Sequence, residues 1–275
     1  MAFQFDKIYV IESLDPNEET GEELYNSVIR WFEDKQGINT VFHKVETKEE
    51  LINVLNEIAS DCNSIAFKPL IHLEIHGLKD KSGLSLRLGS ISWDELSNCL
   101  RKINRSSNWN LNLTMAVCYG NYFLGTLTPL EPSPIAGFVG SFEEIFEEDF
   151  VPRFDEFYST LRNTMNLDEA IRAMMNQNRQ FENGFAFIDA RRIFSDVYNI
   201  YLEQQFSNEA LNSRYLAAKE HVGNNPPNDE EFQIFVQLSF DSREIYFEKH
   251  RRKFFMIDEF PENEIRFPIS LNEVL

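Results

Sequence analysis

The stretch PLIHLEIHG, residues 69–77, is a short apolar run that ends in a histidine and a glycine. Its leucines and isoleucines, bounded by a proline and a glycine, predict a buried strand. A similar run, LNLTMAVC at residues 111–118, ends in a cysteine. The sequence therefore predicts two strands whose ends carry an imidazole, on His76, and a thiol, on Cys118.

Strand-like runs alternate with helical patterns along the first 180 residues. Further strands are predicted from Lys7, Ile38 and Ile135, and segments with helical spacing separate the successive strands. Strands that alternate with helices form a mostly parallel sheet with helices on both faces. We therefore predict an α/β domain over residues 1–180.

The pattern changes in residues 181–275, where helical segments rich in phenylalanine and tyrosine dominate. The first is predicted from Gly184, and GNNPPNDEE from Gly223 is the clearest linker signal. We predict a mainly helical C-terminal extension. Four aromatic residues in it are spaced as on one helical face, which is typical of core but also fits a surface that docks a partner or covers the sheet edge. They are Phe187, Phe194, Tyr198 and Tyr201.

Charge and hydropathy argue against nucleic acid and membrane as partners. The chain has 26 Lys and Arg against 45 Asp and Glu, a formal charge of −19, so most of its surface would repel a phosphate backbone. No segment approaches the roughly 18 apolar residues of a membrane span. The N-terminus also lacks the basic and apolar regions of a signal peptide. We expect a cytoplasmic protein.

Three cysteines, Cys62, Cys99 and Cys118, are widely spaced and form no C-x-x-C pair. This predicts free thiols, with no disulfide framework, metal site or cofactor. Cys62 and Cys99 lie in helical patterns and are expected to be small buried hydrophobic residues.

The ends of parallel strands offer a chemical role for the two strand-end residues. Ligands bind at the carboxyl edge of such sheets, and neighbouring strands would bring His76 and Cys118 together there. A thiol needs a nearby base to become a nucleophile, and an imidazole can supply it. The backbone N–H groups of Gly77 and Cys118 are the candidates for an oxyanion hole.

A structural role is the alternative for each of these residues taken alone. A histidine at a strand end is often only hydrogen-bonded, as we expect for His72, and a cysteine in a strand is often buried packing. The chain has 5 His and 3 Cys among 275 residues. One of each at the ends of two successive strands is uncommon by chance, and this favours His76 and Cys118 as a functional pair.

The segments HLEIHG, DKSGLSLRLGSISWDELSNCLRKIN and LNLTMAVCYG together resemble the core of the caspase-like cysteine peptidases, especially the bacterial branch that includes CHAT-domain proteins. The resemblance covers about residues 7–180. It implies a small hairpin and a helix between the two strands, His76 as base and Cys118 as nucleophile. It also implies an endopeptidase that cleaves a partner protein, in bacterial stress or phage defence.

The motif departs from the family at several points. Cys118 is followed by Tyr119 and Gly120, and His76 lies 42 residues upstream of the cysteine, against about 50 in the caspase signature. Small residues are commoner at the position of Tyr119 in the bacterial branch, so its ring is expected to narrow the substrate pocket. The segment after the cysteine, NYFLGTLTPLEPSP, is short and rich in proline, so we predict no cleavage into two chains. Any regulator is expected to be a separate protein or the C-terminal helices.

Two other functions remain open at this stage. An inactive scaffold could bind proteins through the aromatic C-terminal helices, and a different thiol hydrolase or transferase could act on a small molecule. No phosphate-binding glycine loop follows the first strand, which argues against the second. An acidic run could line a pocket for a basic side chain, although carboxylates in the first turn of a helix are the more ordinary explanation. The run comprises Glu143, Glu144, Glu147, Glu148 and Asp149.

Overall fold

The computed structural model describes residues 5–65, 67–144, 147–176, 185–222 and 228–274. The strands are β1 (Lys7–Ser13), β2 (Asn39–Lys44), β3 (Pro69–Gly77), β4 (Gly83–Leu86), β5 (Gly89–Ser92), β6 (Asn112–Ala116), β7 (Gly137–Ser141) and β8 (Phe185–Asp189). The helices are α1 (Thr20–Ser27), α2 (Phe32–Gln36), α3 (Lys48–Ile65), α4 (Trp93–Ser106), α5 (Glu147–Thr164), α6 (Leu167–Asn176), α7 (Ala190–Phe206), α8 (Asn208–Val222), α9 (Asp229–Asp241), α10 (Arg243–Phe254), α11 (Asn263–Arg266) and α12 (Leu271–Val274). Short 3₁₀ helices cover Ile29–Trp31 and Gly120–Thr126.

The sheet has the strand order β2–β1–β3–β6–β7–β8, with β1, β2, β3, β6 and β7 parallel and β8 antiparallel to β7. Strands β4 and β5 form a hairpin that continues from the end of β3. The predicted α/β fold, a mostly parallel sheet flanked by helices with further helices at the C-terminus, is confirmed.

The strand order reverses direction between β1 and β3. From β1 the chain crosses to β2 on one side, then returns to β3 on the other side of β1. Crossovers that leave in opposite directions open a crevice at the carboxyl ends of the two strands, and this is where ligands bind in open α/β sheets. The topology therefore places the expected binding crevice beside the end of β3, which carries His76.

Helices α1, α2, α5 and α6 cover one face of the sheet because they present apolar residues to it. They share a core with inward residues of the strands such as Ile8, Val10 and Leu70. Side chains alternate between the two faces of a strand. Glu12, two residues after Val10, and Glu74, four residues after Leu70, therefore point to this same face. Helix α5 contributes Phe154, Phe157, Tyr158 and Leu161 to that core.

Capping boxes begin helices α3 and α4. The Glu50 amide donates to Thr47 Oγ1 at 3.2 Å, and the Thr47 amide donates to the Glu50 carboxylate at 3.2 Å. Ser92 and Glu95 make the same reciprocal pair at the start of α4. These contacts satisfy amide groups at the helix start that have no partner within the helix.

Two predictions of helix differ from the structure. The helical segment predicted between the strands from Lys7 and Ile38 is broken into α1, a 3₁₀ turn and α2. The segment from Gly184 begins instead with β8, whose residues pair with β7, for example Ile188 with Phe138. Pairing with β7 satisfies the backbone N–H and C=O groups of this segment at the edge of the sheet. A local sequence pattern could not reveal this pairing. The helical prediction was wrong for Phe185–Asp189 and right from Ala190 onward.

The chain divides into two compact units, Met1–Thr126 with Ser133–Ala190, and Leu127–Pro132 with Arg191–Leu275. The boundary predicted at residue 180 and the linker from Gly223 lie largely outside the described residues. In the second unit, Phe194 and Tyr198 are fully buried and their rings pack at 5.5 Å, so these two residues of the aromatic stripe belong to a core. Phe187, another member of the predicted stripe, lies on β8 instead. None of the helices in the described ranges is long and apolar enough to cross a membrane.

Candidate active site

A cleft of about 210 Å³ lies at the carboxyl ends of β1, β3 and β6. Its walls come from these strand ends, from the loop after β1 and from the start of α5. The lining residues are Leu14, Glu18, Thr20, Glu74, Ile75, His76, Ala116, Val117, Cys118 and Phe150. The cleft thus occupies the crevice that the strand order predicts, and both strand-end residues line it.

His76 and Cys118 each lie two residues beyond the last pair of residues that joins β3 to β6. The pairing of β3 with β6 ends at Glu74 opposite Ala116, and two further residues along each chain are His76 and Cys118. Partners in parallel strands direct their side chains to the same face. Strand β6 ends at Ala116 and not at Cys118 as predicted, so the thiol lies at the start of the following loop. Cys118 is half-buried and His76 is exposed.

The backbones of Gly77 and Cys118 are in direct contact. A Cβ atom at Gly77 would lie 1.9 Å from the carbonyl oxygen of Cys118, which only glycine avoids at this position. Two nearby amides already have acceptors, since Tyr119 donates to the Glu143 carbonyl in the loop after β7 at 3.0 Å and Gly120 donates to the Val117 carbonyl at 3.1 Å. The oxyanion role of the Gly77 and Cys118 amides stays a prediction.

Glu18, in the loop after β1, contacts the candidate base. Its carboxylate lies 2.8 Å from His76 Nε2, and both side chains are about half exposed, at 46% and 56%. An exposed pair of this kind contributes under about 1 kcal/mol to stability. Its importance is geometric, because a carboxylate on one ring nitrogen selects the tautomer and orientation of an imidazole.

Tyr119 lies in the left-handed region of backbone conformation, with a φ of 60°, directly after Cys118. Its ring packs against the ring of Tyr122 at 6.3 Å and lies 5.1 Å from the ammonium of Lys81. Tyr119 is not among the described residues that line the cleft. Its ring therefore does not form the wall that the sequence led us to expect.

A buried polar network continues inward from the cleft along the same face of the sheet. Glu74 accepts a hydrogen bond from the Thr20 hydroxyl, and its other oxygen lies 2.8 Å from His72 Nε2. His72 Nδ1 lies 2.9 Å from the hydroxyl of Thr114, which is 2.7 Å from the hydroxyl of Tyr158. His72 is fully buried, as expected for a structural histidine.

Glu12, opposite Glu74 on β1, holds the start of helix α1. Its Oε1 accepts from the amides of Gly21 at 2.8 Å and Glu22 at 3.0 Å. The residue is fully buried, and its other carboxylate oxygen has no hydrogen-bond partner among the described residues. Burial raises the pKa of Glu12, and the neighbouring Glu74 adds to this, although the two amide contacts act in the opposite direction.

The other two thiols are buried in helices, Cys62 in α3 and Cys99 in α4. Burial raises the pKa of the Cys62 thiol to about 12 and also raises that of Cys99. Because the thiolate is the reactive form, neither residue is suited to nucleophilic chemistry.

The acidic run does not form a wall of the cleft within the described residues. Glu143 and Glu144 are exposed in a loop, and Glu147 begins helix α5. Carboxylates at the start of a helix complement its dipole, which is the ordinary explanation of such a run. The side chains of Glu147, Glu148 and Asp149 lie outside the described part of the structure.

Within the described residues, no group of three or more His, Cys, Asp and Glu is arranged to hold a metal ion.

Sequence comparison adds no family assignment. No family model matches the chain, and a search of curated proteins finds no match. The similarity to caspase-like peptidases thus rests on the motif residues and their arrangement.

Proposed function

We propose that this protein is a caspase-like cysteine endopeptidase that cleaves a partner protein. The observation that carries the proposal is that His76 and Cys118, each two residues beyond the last paired residues of β3 and β6, both line one cleft. The crevice at the strand-order reversal is also the expected position for a substrate in this type of sheet. A cytoplasmic setting and a role in bacterial stress or phage defence belong to the same proposal.

The proposed reaction needs only groups of this chain and water. Cys118 gives its proton to His76, and its sulfur attacks the carbonyl carbon of the scissile peptide bond. The amides of Gly77 and Cys118 stabilise the resulting oxyanion, and such a donor contributes about 2.7–4 kcal/mol in enzymes where it has been measured. His76 then protonates the leaving amine, and water hydrolyses the thioester.

Labelling with a peptide-based electrophile tests the proposal. The protein, His76→Ala and Cys118→Ala are treated with a peptidyl acyloxymethyl ketone, and the modified cysteines are mapped by mass spectrometry. We expect labelling of Cys118 that depends on His76, with Cys62 and Cys99 protected by burial. Slow labelling of all three thiols at equal rates, unaffected by His76→Ala, would refute the peptidase.

An inactive scaffold is the second candidate, and one observation favours it. Helices α9 and α10 expose large apolar side chains, with Ile234 at 55%, Leu238 at 60% and Ile245 at 72%. Exposed apolar groups of this size are common at protein-binding surfaces. The labelling experiment separates the two candidates, because a scaffold has no reason to activate Cys118.

A further inference from the structure

Glu74 is an acidic residue on the wall of the cleft, and no lysine or arginine among the described residues pairs with it. It is 2% exposed and lines the cleft, two residues before His76 on the same face of β3. At about 3.3 Å per residue, its Cα lies about 7 Å deeper along the strand than that of His76. Its carboxylate therefore lies below the catalytic pair of the proposed peptidase.

The residues around Glu74 leave space and apolar walls. Its partner on β6 is Ala116, whose small side chain also lines the cleft. Leu14 and Phe150 line the same cleft and contribute apolar surface. Arginine and lysine side chains lay their methylene stems along apolar surface and place the charged head at a polar group. A wall of this kind with a carboxylate at depth suits a long basic side chain.

The charges of the cleft have one sign. Its lining includes two carboxylates, Glu74 inside and Glu18 at 46% exposure, and no lysine or arginine among the described lining residues. Neither Glu74 nor its neighbour Glu12 forms an ion pair with a lysine or arginine of the described chain. His72 contacts Glu74 but is fully buried and does not line the cleft. A cationic ligand group is therefore the one that complements the lining of the cleft.

Glu74 is also held in place, as a recognition residue must be. The Thr20 hydroxyl and the His72 ring contact one oxygen each, so the carboxylate has a defined orientation before a ligand arrives. Each carboxylate oxygen has two acceptor sites, and one on each remains for a ligand N–H. The unpartnered oxygen of Glu12, in the adjacent strand position, adds negative character to the same region.

We propose that the cleft takes the arginine or lysine side chain that immediately precedes the scissile bond, with Glu74 pairing with its charge. This substrate class rests on the peptidase function proposed above. An aspartate at that position is disfavoured, because its carboxylate would meet Glu74 and Glu18 and no lysine or arginine is among the described lining residues.

Two acyloxymethyl ketone probes that differ in one group test the pairing in the wild-type protein. They share one peptide and end in arginine or in citrulline, its neutral isostere. We expect Cys118 to be labelled by the arginine probe at least about tenfold faster, since a charge-assisted contact to a buried carboxylate is lost with citrulline. Glu74→Gln should bring the two rates together. Glu143→Gln removes an exposed charge outside the cleft and should preserve the preference.

A binding measurement separates this inference from the peptidase itself. N-acetylarginine N-methylamide and its citrulline analogue are titrated into Cys118→Ala and followed by nuclear magnetic resonance. A dissociation constant at least about tenfold lower for the arginine compound supports the basic pocket, whatever the labelling result. A failure of both probes to label Cys118 would refute only the peptidase. Labelling of Cys118 at equal rates by both probes, or equal dissociation constants, overturns the basic pocket and leaves the peptidase standing. Both comparisons use proteins with Glu74 intact, so they hold if Glu74→Gln fails to fold.

Discussion

The Cα of Gly77 lies against the backbone carbonyl of Cys118, so close that any side chain would place its first carbon 1.9 Å from that oxygen. This contact joins the end of β3 to the loop that follows β6. It explains why a glycine follows the histidine, because the two backbone segments could not approach with a Cβ between them. The separation of His76 and Cys118 therefore depends on the size of residue 77.

Gly77→Ala is expected to disrupt this contact and the candidate site together. The backbone must shift, and overpacking of this kind costs about 1–3 kcal/mol in the free energy of unfolding. We expect that loss in urea denaturation and a larger proportional loss in the rate of Cys118 labelling. Gly125→Ala is the control, because nothing lies within 4 Å of its Cβ position. Normal labelling in Gly77→Ala would show that this contact does not set the site geometry.

Glu18→Gln is expected to affect catalysis more than stability. The pair with His76 is about half exposed on both sides, so its loss should change the free energy of unfolding by less than about 1 kcal/mol. Glutamine keeps an oxygen that can accept from the imidazole, whereas Glu18→Ala removes the contact. Labelling of Cys118 should therefore fall in the order wild type, Glu18→Gln, Glu18→Ala. Equal rates in all three would show that Glu18 does not orient His76. Glu143→Gln serves as the charge control.

The sequence predicted β3 from end to end because its apolar run is bounded on both sides by residues that interrupt structure. It also placed His76 and Cys118 at one edge of the sheet, where both line the same cleft, because rare residue types at two strand ends are informative. It could not predict β8, because that strand exists only through its pairing with β7. Pairing between distant segments is a tertiary effect that overrides local helical spacing.

Glu18 and Glu74 were missed for different physical reasons. Glu18 lies in a loop with Asp15 and Glu19 beside it, and nothing in a loop's sequence shows which carboxylate points to an imidazole. For Glu74 a signal existed. A charged residue in the middle of an apolar, buried strand requires a partner or a function, and Glu12 occupies a comparable place in β1.

The network behind Glu74 predicts a clear difference between two substitutions of Thr114. Thr114→Val keeps the shape but removes the hydroxyl that contacts His72 Nδ1 and the Tyr158 hydroxyl, both buried. Leaving buried polar groups without partners costs about 1–3 kcal/mol. Thr114→Ser keeps the hydroxyl and should cost less. Chemical denaturation of both variants measures this, and equal losses would assign the effect to packing.

Glu12 predicts a pH dependence of stability whose sign can be worked out. Burial raises its pKa in the folded protein above the unfolded value of about 4.3. Between these two pKa values the folded protein retains a proton that the unfolded chain has lost, so the free energy of unfolding falls as pH rises. Glu12→Gln removes this titration and keeps an oxygen for the amides of Gly21 and Glu22. The free energy of unfolding of the variant minus that of wild type should therefore be larger at pH 7 than at pH 4.

Urea denaturation of wild type and Glu12→Gln at both pH values measures this difference. Glu23→Gln is the matched control, because Glu23 is exposed on α1, the helix whose first amides donate to Glu12, and its replacement should have nearly the same effect at pH 4 and pH 7. Glu12 is buried, and one of its oxygens has no hydrogen-bond partner among the described residues. An equal difference between wild type and Glu12→Gln at the two pH values would mean that the pKa of Glu12 is the same in the folded and the unfolded protein, which contradicts the effect of burial.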